Sequence, residues 1–394
     1  MLRFLTSGES HGQALTAVLE GIPAGLPLTE EDIARDLARR QGGYGRGPRM
    51  QMEQDRARVL SGVRHGLTLG SPISLLIENR DWANWQEVMS VEPVEGEVER
   101  VTRLRPGHAD LAGTMKYQQA DVRPVLERAS ARETAARVAV GAVARRFLEE
   151  FGMELHSHVV AIGGVWAQVE PPVDWERVDA SPVRCADAKA EQRMVQAIEA
   201  AKEAGDTVGG VAEVVATGVP VGLGSYVHWD RKLDGRIAQA MLSINAVKAV
   251  AIGDGVEGAD LRGSQVHDVI EPIDSPGQRL WRRATNRAGG TEGGMSNGQP
   301  IVVRFYLKPL STLANPLPSV DLTTGQQVQA HYERSDVCVV PAAGVIGEAM
   351  LALVLADAFL EKFGGDHIEE TRRNLQGYLA TLGPRGRTGV EQDS

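Results

Sequence analysis

The chain has 394 residues, 42% hydrophobic and 24% charged, with 42 Lys and Arg against 52 Asp and Glu and a formal net charge of −10. This is the composition of an ordinary globular protein, and its acidity weighs against a basic nucleic-acid binder and against disorder. Aromatic residues make up only 5% while glycine contributes 44 residues, so tight turns and close backbone approach to a ligand are expected in place of an aromatic-rich core.

From the N-terminus, Glu9, Ser10 and His11 stand where a secretory signal needs an apolar stretch, so no export signal is expected. Thr29 as N-cap, Glu30, Glu31 and Asp32 in the first turn, Arg39 and Arg40 in the last and Gly42 beyond predict a helix over 29–41. A second helix is predicted over 130–151, opened by a Ser130/Glu133 capping box and stopped by Gly152. Further helices are expected over 187–204, 235–244 and 345–363. The last of these carries Glu348 and Asp357 and falls short of the ~20 apolar residues of a membrane span, so it reads as a buried core helix. Val211–Thr217, Val247–Ile252 and Ile301–Leu307 read as strands.

Helices and strands mix without a strict βαβ rhythm, which predicts an α+β fold with antiparallel sheet. No linker divides the chain, so residues 1–382 are read as one domain and the polar stretch 383–394 as a mobile tail. Cys185 and Cys338 stand alone, which fits a reducing, cytosolic setting. His156 and His158 could share one strand face but have no third ligand near them, so no metal site is expected.

Four regions carry chemistry. Arg35, Arg39, Arg40, Arg46 and Arg49 crowd a helix end and the loop Gly42–Gly47. Guanidinium groups grip phosphate and carboxylate through paired hydrogen bonds, and glycines let backbone N–H groups approach the same anion. Arg35 and Arg39 read as a solvated helix face, whereas Arg46 and Arg49, off the helix, read as functional. The loops Gly8–Gly12 and Arg103–Asp110 each hold a histidine, His11 and His108, as an acid/base pair would require. Arg128, Ala129, Ser130 and Arg132 surround a helix start, where orphan N–H groups favour an anion. Asn286–Gly298 carries five glycines ahead of the strand leading to Lys308–Thr312. The pattern Gly253–Gly258 matches GxGxxG but lacks a following amphipathic helix, so it reads as a turn.

Together these residues resemble the chorismate synthase family. The resemblance covers nearly the whole chain: GESHG at 8–12, RRQGGYGRGPRM at 39–50, SGV at 61–63, RPGHAD at 105–110, RASARETAARVA at 128–139, SINAVKAV at 243–250, NRAGGTEGGMSNG at 286–298 and KPLST at 308–312. It implies a sandwich of two antiparallel four-stranded sheets around a helical layer, a homotetramer, and a cytoplasmic location. It also implies conversion of 5-enolpyruvylshikimate 3-phosphate to chorismate by 1,4-anti elimination of phosphate, with reduced FMN required but no net redox change.

By the same resemblance, Arg40, Arg46, Arg49, Arg105 and Arg132 hold substrate, Arg40 and Arg46 also matching NADP positions. FMN falls to Arg128, Ala129, Ser130, Asn245, Ala246, Gly293, Lys308, Pro309, Leu310, Ser311, Thr312 and Arg334. His11 neutralises the departing phosphate, His108 sits near flavin N1, and Asp336 takes the proton delivered to N5, with Ser10 and Ser130 as relays. Where many relatives read Arg-His-Asp-Pro-Cys, this chain has Arg334-Ser335-Asp336-Val337-Cys338, so no role passes to that histidine. Whether NADPH reduces the flavin on this chain stays open. Two rival readings are a nicotinamide-dependent dehydrogenase and a non-catalytic anion- or RNA-binding protein.

Overall fold

The structure, a computed structural model, describes residues 1–47, 54–96, 98–273, 281–333 and 335–382. Arg49, Arg334 and the predicted tail at 383–394 lie outside the described residues. In chain order the principal elements are β1 (Arg3–Ser7), β2 (Ala14–Glu20), α1 (Glu30–Gln41), β3 (Ala57–Ser61), β4 (Ile73–Glu78), α2 (Asp110–Tyr117), α3 (Arg123–Arg128) and α4 (Thr134–Glu149). They continue with β5 (Glu154–Ile162), β6 (Val165–Trp166), α5 (Ala188–Glu203), β7 (Gly210–Thr217), α6 (Leu233–Leu242), β8 (Val247–Ile252), β9 (Ile301–Leu307), α7 (Val340–Phe363) and α8 (Ile368–Ala380).

Two antiparallel sheets carry the fold, one in the order β1-β2-β4-β3 and the other in the order β8-β9-β7-β5-β6. The second therefore has five strands where four were expected, the fifth being the two-residue β6. Inward residues alternate with period two: Leu15, Ala17 and Leu19 on β2 and Ile73, Leu75 and Ile77 on β4 are buried, while Leu5, Val18 and Leu60 face outward. Helix α4 packs on the first sheet, α7 on the second, and the two helices pack on each other. A Cβ at Gly141 of α4 would stand 2.4 Å from the Ala349 Cβ of α7, so glycine permits that approach. Helix α7 is long and apolar enough to cross a membrane by composition, but 89% of its most apolar window is buried in this core.

Local signals placed most helix boundaries. Thr29 and Asp32 form a capping box on α1, and the Asp187 carboxylate accepts from the N–H groups of Lys189 and Ala190 at the start of α5. The Ser130/Glu133 box does not form. Ser130 accepts from the Arg132 N–H and caps a single 3₁₀ turn, Ala131–Glu133, while Glu133 accepts from Thr6 and Arg137. Tertiary partners outcompete the local box there. Helix α7 begins five residues before the predicted 345, with Pro341 in its first turn, where a missing N–H costs nothing.

Arg39 also departs from expectation. It is a partner of the buried Glu348 carboxylate at 2.6 and 2.8 Å, which also receives Arg145 and the Ser157 hydroxyl. Asp36 completes this network 2.8 Å from Arg145 and 3.2 Å from Arg39. The network ties α1, α4, β5 and α7 together behind the functional cleft.

Candidate active site

A cavity of about 460 Å³ opens where loops from both sheets meet the first turns of α7. The β1–β2 turn brings Ser10 and His11, α1 and its following loop bring Arg40 and Arg46, and the segment before α2 brings Arg105 and His108. Ser130 and Arg132 enter between α3 and α4, Asn245 ahead of β8, Leu310, Ser311 and Thr312 after β9, and Asp336 ahead of α7. The β1–β2 turn depends on Gly8, at φ +101°, where a Cβ would lie 2.4 Å from the Ala14 carbonyl oxygen.

The two histidines are held by the same device. His11 Nδ1 lies 2.9 and 3.0 Å from the Glu127 carboxylate oxygens, and its backbone N–H donates to the same carboxylate at 2.7 Å. A carboxylate only accepts, so Nδ1 carries the proton and Nε2 is turned away from Glu127. The Trp85 ring stacks on the imidazole with centroids 3.9 Å apart, and Arg123 bonds Glu127 at 3.2 Å. His108 Nδ1 lies 2.5 Å from Asp110 Oδ1 and donates to it for the same reason. Arg105 Nη2 is 3.0 Å from that Nδ1 but, being a donor as well, bonds Asp110 Oδ1 at 3.1 Å instead. Burial would raise the Asp110 pKa, yet hydrogen bonds from His108 and Arg105 and the Arg105 charge hold it well below the usual carboxylate range.

The arginines are aimed by buried acids. Asp55 takes Arg132 at 2.5 Å through one oxygen and Arg40 at 3.3 Å through the other, and Arg132 Nε bonds Asn79 at 2.9 Å. Arg40 further donates to Thr134 Oγ1 and the Ala131 carbonyl, each at 3.0 Å. Burial and the neighbouring Arg46 and Arg132 lower its pKa, against Asp55, to about 9, so it remains cationic at neutral pH. Arg105 reaches Thr312 Oγ1 at 3.1 Å. Arg46 pairs with Asp336 at 3.0 Å, and the other Asp336 oxygen accepts from the Gly47 N–H at 2.6 Å. This pair also lines a second cavity, of about 560 Å³, that shares Gly47, Thr312 and Ser335 with the first.

Six expected residues do not line the first cavity. The Arg128 guanidinium donates to the Gly8 and Thr6 carbonyls at 3.1 and 3.0 Å, bracing β1. The Ala129 carbonyl accepts from Asn245 Nδ2 at 3.0 Å, and the Ala246 carbonyl accepts from the Lys308 N–H at 3.0 Å. Lys308 and Pro309 sit at the rim, beside residues 107 and 310. Gly293 turns the hairpin Thr291–Ser296, whose Gly294 packs on Lys232 at the start of α6. Sequence reasoning in turn missed Asp55, Trp85 and Glu127 and gave Asp110 no role. Asp110 closes a quoted motif and Glu127 adjoins another, whereas nothing local marks Asp55 or Trp85. The Gly253–Gly258 pattern is a turn leading into one 3₁₀ turn, Glu257–Asp260, with no helix end for a pyrophosphate. Among the described residues no cluster of three or more His, Cys, Asp or Glu could hold a metal ion.

A small cavity walled by four arginines, two carboxylate-held imidazoles and the carboxylates of Asp81, Glu333 and Asp336 is the site of an enzyme acting on a small, multiply anionic molecule. The chorismate synthase family model matches residues 2–360. The chain is 57% identical to the chorismate synthase of Acidothermus cellulolyticus, over 97% of this chain and 99% of that one. It is 58% identical to that of Moorella thermoacetica, over 97% and 99%. A crystal structure of chorismate synthase superposes with a TM-score of 0.78 at 46% identity, covering 97% of this chain and 98% of the other. The chain belongs to the chorismate synthase family, lyases of the shikimate pathway.

Proposed function

We propose that the chain catalyses 1,4-anti elimination of phosphate from 5-enolpyruvylshikimate 3-phosphate, giving chorismate, with reduced FMN and without net redox change. The observation that carries this reading is the convergence of Arg40, Arg46, Arg105 and Arg132 with His11 and His108 on one cavity. A substrate with a phosphate and two carboxylates needs several fixed cations, and guanidinium groups aimed by buried carboxylates supply them without reorganisation.

The residues also suit a flavin. Asn245 Oδ1 is buried and unbonded among the described residues, as an acceptor awaiting a ring N–H would be, and the apolar Leu307, Leu310 and Ile346 line the same space. Ser130, Asn245 and Leu310–Thr312 would hold the ring system, with Lys308 at the rim. When bound, reduced FMN supplies a reversible electron to the substrate. His11, with its Nδ1 proton directed to Glu127, stabilises the departing phosphate, and Ser130, 3.1 Å from Ser10, continues a hydroxyl path along that wall. His108 is fixed in one tautomer by Asp110, and Asp336 accepts a proton within the cavity.

The sandwich of two sheets around a helical layer belongs to this reading, supported by α4 and α7 packing between the sheets they each cover. So do a cytoplasmic location and a homotetramer, the latter supported by the outward Leu5, Val18 and Leu60 on the first sheet. NADPH as electron source is part of the proposal through Arg40 and Arg46. Anaerobic turnover with chemically reduced FMN, followed by phosphate release and chorismate absorbance, tests the reaction. Oxidised FMN with NADPH tests the electron source. A folded, FMN-binding protein that forms no chorismate would sink the assignment.

A further inference from the structure

Helix α3 carries Arg123 and Glu127 one turn apart, and the two side chains bond at 3.2 Å. The Glu127 carboxylate is buried and serves His11 twice, at the imidazole Nδ1 and at the backbone N–H, while the Glu127 carbonyl accepts from the Ser10 N–H at 3.1 Å. Arg123 also bonds Glu333 at 2.7 Å, and His331 Nε2 lies 3.4 Å from the same carboxylate. Burial would raise the Glu333 pKa, but hydrogen bonds from His331 and Arg123 and the Arg123 charge bring it down to about 2, so it stays a carboxylate. The Trp85 ring, stacked on the imidazole of His11, also has the Arg123 guanidinium carbon 5.2 Å from its centroid, and its Nε1 donates to Asp81 at 3.0 Å.

Two carboxylates thus share one guanidinium, and a negative charge is left over for the imidazoles at either end, His11 on Glu127 and His331 on Glu333. A buried carboxylate against Nδ1 holds the proton there, so that Nε2 is the atom that can meet an anion, and it favours the imidazolium over the neutral ring. We propose that Glu127 is the positioning residue through which His11 acts, its charge holding the imidazole as the cation that meets the departing phosphate and Arg123 setting how much of that charge His11 feels; this rests on the reaction proposed above. Neither Glu127 nor Arg123 lines the cavity, so both act through the imidazole. Glu9 on the same loop, Asp81 behind Trp85, Glu333 and His331 beyond Arg123, and the four cavity arginines are the other charged or titratable groups around this ring.

The test uses Trp85 as the reporter. An imidazolium quenches a stacked indole more strongly than a neutral imidazole does, so in the ligand-free chain the emission lost in Trp85→Phe titrates with His11, and His11→Gln removes that titration. Glu127→Gln, which can still accept from the His11 Nδ1 and N–H through one oxygen, moves the midpoint down by about one pH unit. Arg123→Gln moves it up, because Glu127 is then less neutralised, and Arg123→Lys, which keeps the charge, leaves it in place. Thermal unfolding checks that each variant folds, and the opposite signs separate charge from loosening, which would move both the same way. In turnover, Glu127→Gln lowers kcat at neutral pH about tenfold with KM within about twofold, and lower pH recovers the loss. A midpoint unmoved by Glu127→Gln, shifts of the same sign in Glu127→Gln and Arg123→Gln, or full kcat in Glu127→Gln overturns the proposal. A wild-type chain that forms no chorismate yet shows both shifts overturns the reaction reading, while the positioning of His11 stands.

Discussion

Asp110 does more than any other single side chain to set the site, because its carboxylate fixes both the His108 tautomer and the Arg105 fork. Asp110→Asn keeps the shape but removes the charge, and is expected to lower turnover about 10²-fold while the protein stays folded, as steady-state kinetics and thermal unfolding would show. An unchanged rate would reduce His108 to a structural histidine. The sign of its pH linkage is fixed as well. With the folded pKa held below the unfolded value of about 3.9, its stabilisation is present above that value and is lost as pH falls through the folded one. Arg46 faces Asp336 and the cavity, so Arg46→Lys, which replaces a planar fork by a point charge, should raise KM for substrate about tenfold with kcat little changed. The reactive residues were legible as types in short motifs, since imidazole and guanidinium in glycine-rich loops have few other uses. The acids that aim them were not: Asp55 serves Arg132 from 77 positions away in sequence, and no local pattern foretells that.

Helix α7 shows how one element serves two sides. Its N-cap Val339 and its first turns, through Ala342, Ala343 and Ile346, line the cavity wall, while Glu348 binds Arg39 and Arg145. Arg39 adjoins Arg40, so the network fixes the end of α1 that delivers a substrate-facing arginine. Burial would raise the Glu348 pKa, but Arg145 and Arg39 bring it down to about 2. This contribution is complete above the unfolded value near 4.3 and is lost as pH falls through about 2. Glu348→Gln strands buried cations and should cost about 3–5 kcal/mol in urea unfolding. A loss within error would mean that Asp36 alone satisfies the arginines. Sequence periodicity marked α7 as a core helix, yet it could not show that its one buried carboxylate anchors three other elements.

At the scale of the molecule, the cavity is made by loops and helix ends drawn from residues 10 to 346, so its integrity depends on both sheets and on the α4–α7 contact between them. The first sheet leaves an outward face bearing Leu5, Val18 and Leu60, and sedimentation should find a species of four times the 42.4 kDa chain mass. A monomer that retains full turnover would remove the tetramer from the proposed function.

The sequence alone determined the helices whose caps and charges lie within one turn, such as α1 behind Thr29 and α5 behind Asp187, and the strands whose β-branched runs end at glycine or proline. It also determined which side chains could do the chemistry and, through whole-length resemblance, the family. Tertiary structure decided that Ser130 caps a 3₁₀ turn and that Asp55 joins Arg40 to Arg132. Caps and periodicity act over a few residues and are written in neighbouring letters. The partner of a buried charge is chosen by packing among groups that are far apart in the chain, because an unpaired buried ion costs more than any local preference can return.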